Sequence, residues 1–140
     1  MTNQRPVPVP DELSAPFWSA AADHELVLAR CSRCGQLTHP PDVVCPLCHH
    51  PDPAYSFESV SGGGTIRSWI VLRQSFLPGF EKLLPLVLLD VALDGDADIR
   101  LIGRLLDDAD TPLTIGSRVQ VAFEEIGPGS SVPAFELEHA

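Results

Sequence analysis

Four cysteines in two equal spacings constrain this chain more than any other feature. They are Cys31-Ser32-Arg33-Cys34 and, ten residues later, Cys45-Pro46-Leu47-Cys48. A Cys-x-x-Cys turn sets two sulfurs on one side of a tight knuckle, and two facing knuckles complete a tetrahedral four-sulfur site. With all four positions filled by protein, no coordination site is left for water or substrate, so the expected metal is structural and not a Lewis acid. Zn²⁺ is the expected ion, with iron in a rubredoxin-like site as the alternative that uses the same ligands. The turn-rich stretch between the pairs, including His39-Pro40-Pro41-Asp42, has few residues able to build a core, so something other than packing must hold it.

Other chemistries of the same residues fit less well. Cys45-Pro46-Leu47-Cys48-His49 matches the haem-attachment pattern, but that chemistry needs export and leaves Cys31 and Cys34 unexplained. Neither pair has the strand-to-helix context of a thioredoxin-like redox motif. His39, His49 and His50 read as loop histidines because no cysteine ligand is missing.

Around the knuckles the chain divides into three expected parts: residues 1–28 an N-terminal arm and amphipathic helix, 29–52 the ribbon, and 53–140 a barrel. Met1 to Pro10 carries three prolines and no periodicity, as an extended arm would. From Asp11 to Leu28, Leu13, Phe17, Trp18, Ala21 and Ala22 recur at helical spacing, with Ser14 as the candidate N-cap and Phe17 and Trp18 as core residues. After Pro53 the pattern turns to strands: Tyr55 to Val60, Thr65 to Arg73, Leu84 to Leu93, Ile99 to Leu106, Arg118 to Ile126 and Ala134 to Glu138. Val119, Val121 and Phe123 alternate with Arg118, Gln120 and Glu124, so that strand buries one face. Leu86 to Leu89 is apolar on both faces, as expected of a strand covered by another element, such as the N-terminal helix. The fold class is therefore mainly β: an N-terminal helix, a rubredoxin-like ribbon and a five-stranded barrel of the oligonucleotide/oligosaccharide-binding (OB) type, with a β-sandwich as the alternative.

Charge narrows the function. Nine Lys plus Arg against nineteen Asp plus Glu leave a net charge of −10, which repels phosphate backbones and anionic membranes, and only 6% aromatics are present for base stacking. Neither nucleic acid nor membrane is expected as a partner. The 44% hydrophobic content is enough for a compact core, yet the longest apolar run, Leu83 to Leu89, is far too short to span a bilayer. Met1 to Pro10 has no basic region followed by an apolar stretch, and a cytoplasmic protein is expected.

Further motifs dissolve on inspection. Asp94, Asp96 and Asp98 resemble the start of a calcium loop, but Ile99 stands where glycine is required and Leu105 where glutamate is required, so a solvated turn is expected. Gly62-Gly63-Gly64 leads into a strand without a Lys-Ser/Thr pair, as a bend or bulge would. Asp107, Asp108 and Asp110 lack a companion base or nucleophile. Eight of the nine basic residues are arginines, and Arg67, Arg73, Arg100 and Arg104 fall in expected strands. Arg100 and Arg104 share a face and Arg73 sits at the rim, so they read either as a local anion-binding patch or as exposed arginines paired with nearby carboxylates, the commoner case.

These residues, in this order, resemble a known family. Phe17-Trp18-Ser19-Ala20-Ala21, Leu26 to Gly35, His39-Pro40-Pro41, Cys45-Pro46-Leu47-Cys48, Val60 to Ile66 and Leu101-Ile102-Gly103-Arg104-Leu105 are similar to the zinc-ribbon/OB-fold proteins associated with thiolases and other acyl-CoA enzymes. The resemblance implies a small subunit, non-catalytic on its own, in a hetero-oligomer with a thiolase-superfamily enzyme, either a thiolase or a thiolase-like aldolase. An acyl-CoA hydratase subunit is the alternative partner, in lipid, sterol side-chain or polyketide-type metabolism. A single-stranded nucleic-acid-binding module, in which OB barrels and zinc ribbons also occur, is the alternative function that the charge argues against. The resemblance further implies a barrel that serves as scaffold or helps to bind a CoA thioester. The segment Phe76 to Lys82 resembles the family's variable loop, and its two aromatics around Pro78-Gly79 make it the expected place for partner or acyl-chain contact. Arg73, Phe76, Phe80, Arg100 and Arg104 are thus the candidate contacts, and Cys31, Cys34, Cys45 and Cys48 the candidate metal ligands. One departure is His49, which stands where the family's second knuckle often has glycine and is therefore expected to accept a left-handed backbone.

Overall fold

The computed structural model describes residues 5–95 and 98–138. The chain folds into one helix, a three-stranded sheet and a closed five-stranded barrel. Helix α1, Ala15–Ala22, is shorter than its periodicity suggests. It stops because His24 adopts a left-handed backbone (φ 61°) and Leu26 onward runs extended as β1, Val27–Arg30. Ser14 does not cap α1 with its side chain: its hydroxyl accepts from the Asp11 N–H, and its own N–H donates to Asp11 Oδ1, closing a turn ahead of the helix.

The small sheet has the order β2-β1-β3, where β2 is Leu37–Thr38 and β3 is Ser56–Ser59. The first strand after Pro53 therefore pairs with β1, Val27 opposite Ser59 through Arg30 opposite Ser56, and not with the barrel. This pairing returns the chain to the ribbon's starting point and lets one sheet carry both ends of the knuckle region. Arg30 clamps the pair. Its Nε donates to Glu58 Oε2 at 2.9 Å, its NH2 to Glu58 Oε1, and its NH1 to the Gly35 carbonyl at 2.6 Å.

The barrel is made of β4 (Gly63–Leu72), β5 (Leu86–Leu93), β6 (Arg100–Leu105), β7 (Arg118–Gly127) and β8 (Ser130–Leu137), in the closed order β4-β5-β6-β8-β7. Four neighbouring pairs are antiparallel. The β6–β8 pair is parallel and short, Arg104 and Leu105 opposite Ala134 and Phe135. Odd-numbered residues of β5 (Val87, Leu89, Val91, Leu93) point inward with Leu101, Leu105, Val119 and Phe135. Phe17, Leu26 and Leu28 belong to the same buried cluster, so helix, ribbon and barrel share one core. Each large side chain sealed in it is worth about 1.5–3 kcal/mol of transfer free energy.

Two glycines admit this closure. A Cβ on Gly103 would stand 3.0 Å from the Phe135 ring, so the absence of a side chain lets β6 approach that ring. Gly62 (φ 80°) sits at the bend into β4, where a Cβ would lie 2.0 Å from Val121 Cγ1. Asp94, expected in a solvated turn, is instead held by Arg118, whose NH1 and NH2 reach its two oxygens at 2.7 and 2.6 Å and whose Nε reaches Glu138 at 3.4 Å. Asp96 of the same turn lies outside the described residues.

Gly62→Ala must accept both a left-handed backbone and an overlap with Val121, and a loss of about 2–4 kcal/mol is expected from strain plus overpacking. A urea melt measures it. A change of stability below about 0.5 kcal/mol would show that the bend is free to move.

Candidate functional site

Two places gather chemistry. The first is the cysteine knuckle pair. Cys31 follows β1 directly, and each knuckle is built alike. Gly35 N–H donates to the Cys31 carbonyl at 2.8 Å and His49 N–H to the Cys45 carbonyl at 2.9 Å. Gly35 and His49 hold φ of 76° and 64°, so His49 takes the left-handed conformation expected of it. Backbone N–H groups of Arg33 and Leu47 point at Cys31 and Cys45 sulfurs, each at 3.4 Å. The four sulfurs all lie within 4.8 Å of one another, with Cys31–Cys48 at 3.8 Å and Cys34–Cys45 at 3.9 Å. A tetrahedron with metal–sulfur bonds of about 2.3 Å has edges of about 3.8 Å, so the thiols already fit a metal ion.

Electrostatics point the same way. The N–H of Cys48 leads the hydrogen bonds that draw the Cys45 thiol down to about 6. The N–H of His50 favours the Cys48 thiolate, but burial and the neighbouring Cys45, Cys31 and Cys34 outweigh it and push that thiol up to about 11. Four like charges cannot gather in this volume without a cation, and a divalent ion supplies one. Cys31 and Cys45 are buried, and Cys48 is exposed at the edge. Around them Ser32 N–H and Oγ both donate to the Pro53 carbonyl, Arg33 Nε donates to the Asp52 carbonyl, and the Tyr55 hydroxyl donates to the Asp42 carbonyl. The loop is held by backbone bonds and the knuckles, not by a core of its own.

The second place is a cleft of about 350 Å³ on the outer face of the barrel. Even-numbered residues of β5 and β6 face outward, and Leu86, Leu88, Ile102 and Arg104 form its floor with Glu124 and Val132 from β7 and β8. The segment after β4 arches over one side, bringing Leu77, Phe80 and Leu84. This explains the doubly apolar Leu86 to Leu89. Its outer face is covered by that loop and by Arg5 of the arm, while α1 packs instead on β8 and β1.

At the cleft's polar end Glu124 Oε2 accepts from Arg104 NH1 at 2.6 Å and from Arg5 NH1 at 3.2 Å. The Arg5 guanidinium also stacks over the Phe80 ring, 5.0 Å from its centre. Among the candidate contacts, Phe80 and Arg104 come together here. Phe76, in the loop after β4, is 91% exposed and does not line the cleft, and Leu77 beside it in sequence and Ile70, Val71 and Leu72 at the end of β4 are exposed as well. Arg73 is exposed next to that loop and does not line the cleft. Arg100 faces a separate hollow with Phe17, Trp18, His39 and Pro40, loosely paired with Asp90 at 3.9 Å. Arg5 and Glu124 were not singled out from the sequence. The outward parity of Glu124 on β7 was legible, but nothing in a proline-rich arm announced where Arg5 would land.

Two family models match the chain. One is the rubredoxin-like zinc ribbon domain of ChsH2, over residues 18–53, and the other its C-terminal OB-fold domain, over residues 58–124. A solved structure titled "Ltp2-ChsH2(DUF35) aldolase" contains a chain that superposes with a TM-score of 0.79 at 31% identity, covering 93% of this chain and 98% of that one. This protein belongs to the ChsH2-type zinc-ribbon/OB-fold (DUF35) family. A relative from Thermomonospora curvata, named a probable enoyl-CoA hydratase alpha subunit, is 32% identical over 131 residues, or 94% of this chain. This chain spans 39% of that relative's length. A second, from Methanocaldococcus jannaschii, named a DUF35 domain-containing scaffold protein, is 29% identical over 103 residues, covering 72% of this chain and 69% of the relative. The family shares the order found here, ribbon then barrel, and its members' names place them with an aldolase, a hydratase or a scaffold role.

Cys31→Ser or Cys48→Ser should abolish stoichiometric metal binding and loosen the ribbon, because ligand binding replaces a core that this segment lacks. Elemental analysis of purified protein, paired with a thermal melt, measures both effects. Retention of one metal ion per chain in either variant would refute the four-thiolate site.

Proposed function

We propose that this protein is a non-catalytic subunit that docks on an acyl-CoA enzyme of the thiolase superfamily, a thiolase or thiolase-like aldolase, and that its ribbon holds Zn²⁺. The observation that carries this reading is the near-complete coverage of the ChsH2(DUF35) chain at 31% identity, in a structure titled as an aldolase. The protein's own surface supports it. Large apolar side chains stand exposed on neighbouring stretches of chain, Ile70, Val71 and Leu72 at the end of β4 and Phe76 and Leu77 in the loop that follows, and Leu72 and Leu77 line the cleft. Zinc fits the four thiolates better than iron because a closed tetrahedral thiolate set is the ordinary structural zinc site. The reading extends to CoA thioesters, for whose phosphates the exposed Arg73 beside the docking loop supplies positive charge.

A hydratase partner is the second reading, favoured by the 32% identity to a probable enoyl-CoA hydratase alpha subunit across nearly all of this chain. Nucleic-acid binding has no such support, and the net charge of −10 opposes it.

Affinity purification of the tagged protein from its native cells, followed by mass spectrometry, tests the reading. Near-stoichiometric recovery of a thiolase-superfamily enzyme is expected, and recovery of a hydratase subunit selects the second reading. Phe76→Asp should weaken the recovered complex at least about tenfold while leaving the melting temperature nearly unchanged, since the ring touches solvent and not the core. An unaffected complex would place the interface elsewhere, and the absence of any acyl-CoA enzyme would refute the proposal.

A further inference from the structure

The cleft on the barrel's outer face is built more like a ligand site than like a leftover gap. Its volume of about 350 Å³ lies in the usual range for small-molecule sites, and its walls are leucine, phenylalanine, isoleucine and valine with polar groups gathered at one end. Those polar groups do not balance. Two guanidiniums, Arg5 and Arg104, share a single oxygen of a single carboxylate, Glu124. Their side chains are only 17% and 22% exposed, and no other carboxylate pairs with either among the described residues. Arg5 Nε and Glu124 Oε1 are buried without hydrogen-bond partners. One positive charge is therefore left over among largely buried side chains that line an apolar cleft, where an unpaired charge is expensive.

The missing complement is one negative charge attached to an apolar body. We propose that the cleft binds an apolar monocarboxylate, a fatty-acid-like or alicyclic acid. Its carboxylate takes the free N–H groups of Arg104 and Arg5, and its hydrocarbon lies along Leu86, Leu88, Ile102 and Phe80. The guanidinium fork suits a carboxylate in a bidentate arrangement, and the alternation Arg, Glu, Arg, ligand carboxylate is neutral in sum. Arg5 closes the end of the site from the arm, stacked on Phe80, so binding also fixes the arm and the loop. Glu124 has a stated role: it holds both arginines in place and competes with the ligand for them. The site is part of the isolated subunit and stands whether or not the docking reading holds.

Isothermal titration of the full chain with decanoate, below its micelle-forming concentration, tests the proposal, with decanol as the uncharged probe of equal length. Decanoate should bind at least about tenfold more tightly than decanol, because burying its charge beside paired guanidiniums contributes what a hydroxyl cannot. Amide shifts in the NMR spectrum should centre on Leu88, Gly103 and the loop carrying Phe80. Arg104→Gln should weaken decanoate at least about tenfold without changing decanol, and Arg5→Gln, which lies outside the barrel and does not threaten its folding, should act in the same direction. Glu124→Gln should tighten decanoate at least about threefold, since it frees both arginines from their internal partner. A merely structural triad would lose binding in all three variants alike. Equal affinity for decanoate and decanol, shifts centred elsewhere, or a Glu124→Gln variant as impaired as Arg104→Gln would each overturn the assignment.

Discussion

Convergence of four thiols is the constraint on which the first half of the molecule depends. Between β1 and β3 the chain makes a short strand and two knuckles but almost no core, and its loops hang on backbone hydrogen bonds that are worth little unless their ends are fixed. Bringing Cys31, Cys34, Cys45 and Cys48 within 4.8 Å fixes those ends. Knuckle geometry follows from the backbone, since Gly35 and His49 turn left-handed so that successive N–H groups face sulfur and carbonyl oxygen. Because β1 continues straight into Cys31, the position of the knuckles is transmitted to Leu26 and Leu28, which belong to the same core as the barrel. The ribbon is thus a clamp on one corner of a shared core rather than a bead on a string.

The barrel separates two tasks by the parity of its strands. Inward residues of β5, β6, β7 and β8 close a core around Phe135. Outward residues of the same strands make the cleft, with Leu86 and Leu88 on one strand, Ile102 and Arg104 on the next, and Glu124 on β7. A strand has a side-chain period of two, so one stretch such as Leu86 to Leu89 serves both faces at once. The loop with Phe76 and Phe80 then divides its own aromatics, one against Arg5 in the cleft and one in solvent. This arrangement puts exposed apolar side chains of the loop next to a recess that carries the Arg5, Glu124 and Arg104 cluster.

Much of this was readable in the chain. The cysteine spacing gave the knuckles because that spacing has few geometric solutions, and alternation on β7 gave the inward face because burial of one sheet face enforces it. The ribbon and barrel were legible for the same reason. Less legible were ends and covers. The helix ran shorter than its periodicity because Leu26, Val27 and Leu28 are as apolar in a strand as in a helix, and only pairing with Ser56–Ser59 decides between them. The cover of Leu86 to Leu89 was expected to be α1 but is the loop after β4 together with the arm.

What the sequence by itself determined is local: which four side chains can share a metal, which faces of which strands are apolar, and where glycine or a tolerant residue such as His49 must turn. What only the tertiary structure decided is which distant groups meet. Arg5 lies 119 residues from Glu124 and Arg104 lies 20 from it, yet one carboxylate oxygen receives both. No periodicity encodes such a meeting. It arises when β6 and β7, joined through β8, are closed into a barrel and the arm is laid across them, and charge balance can be judged only once the chain has put the charges side by side.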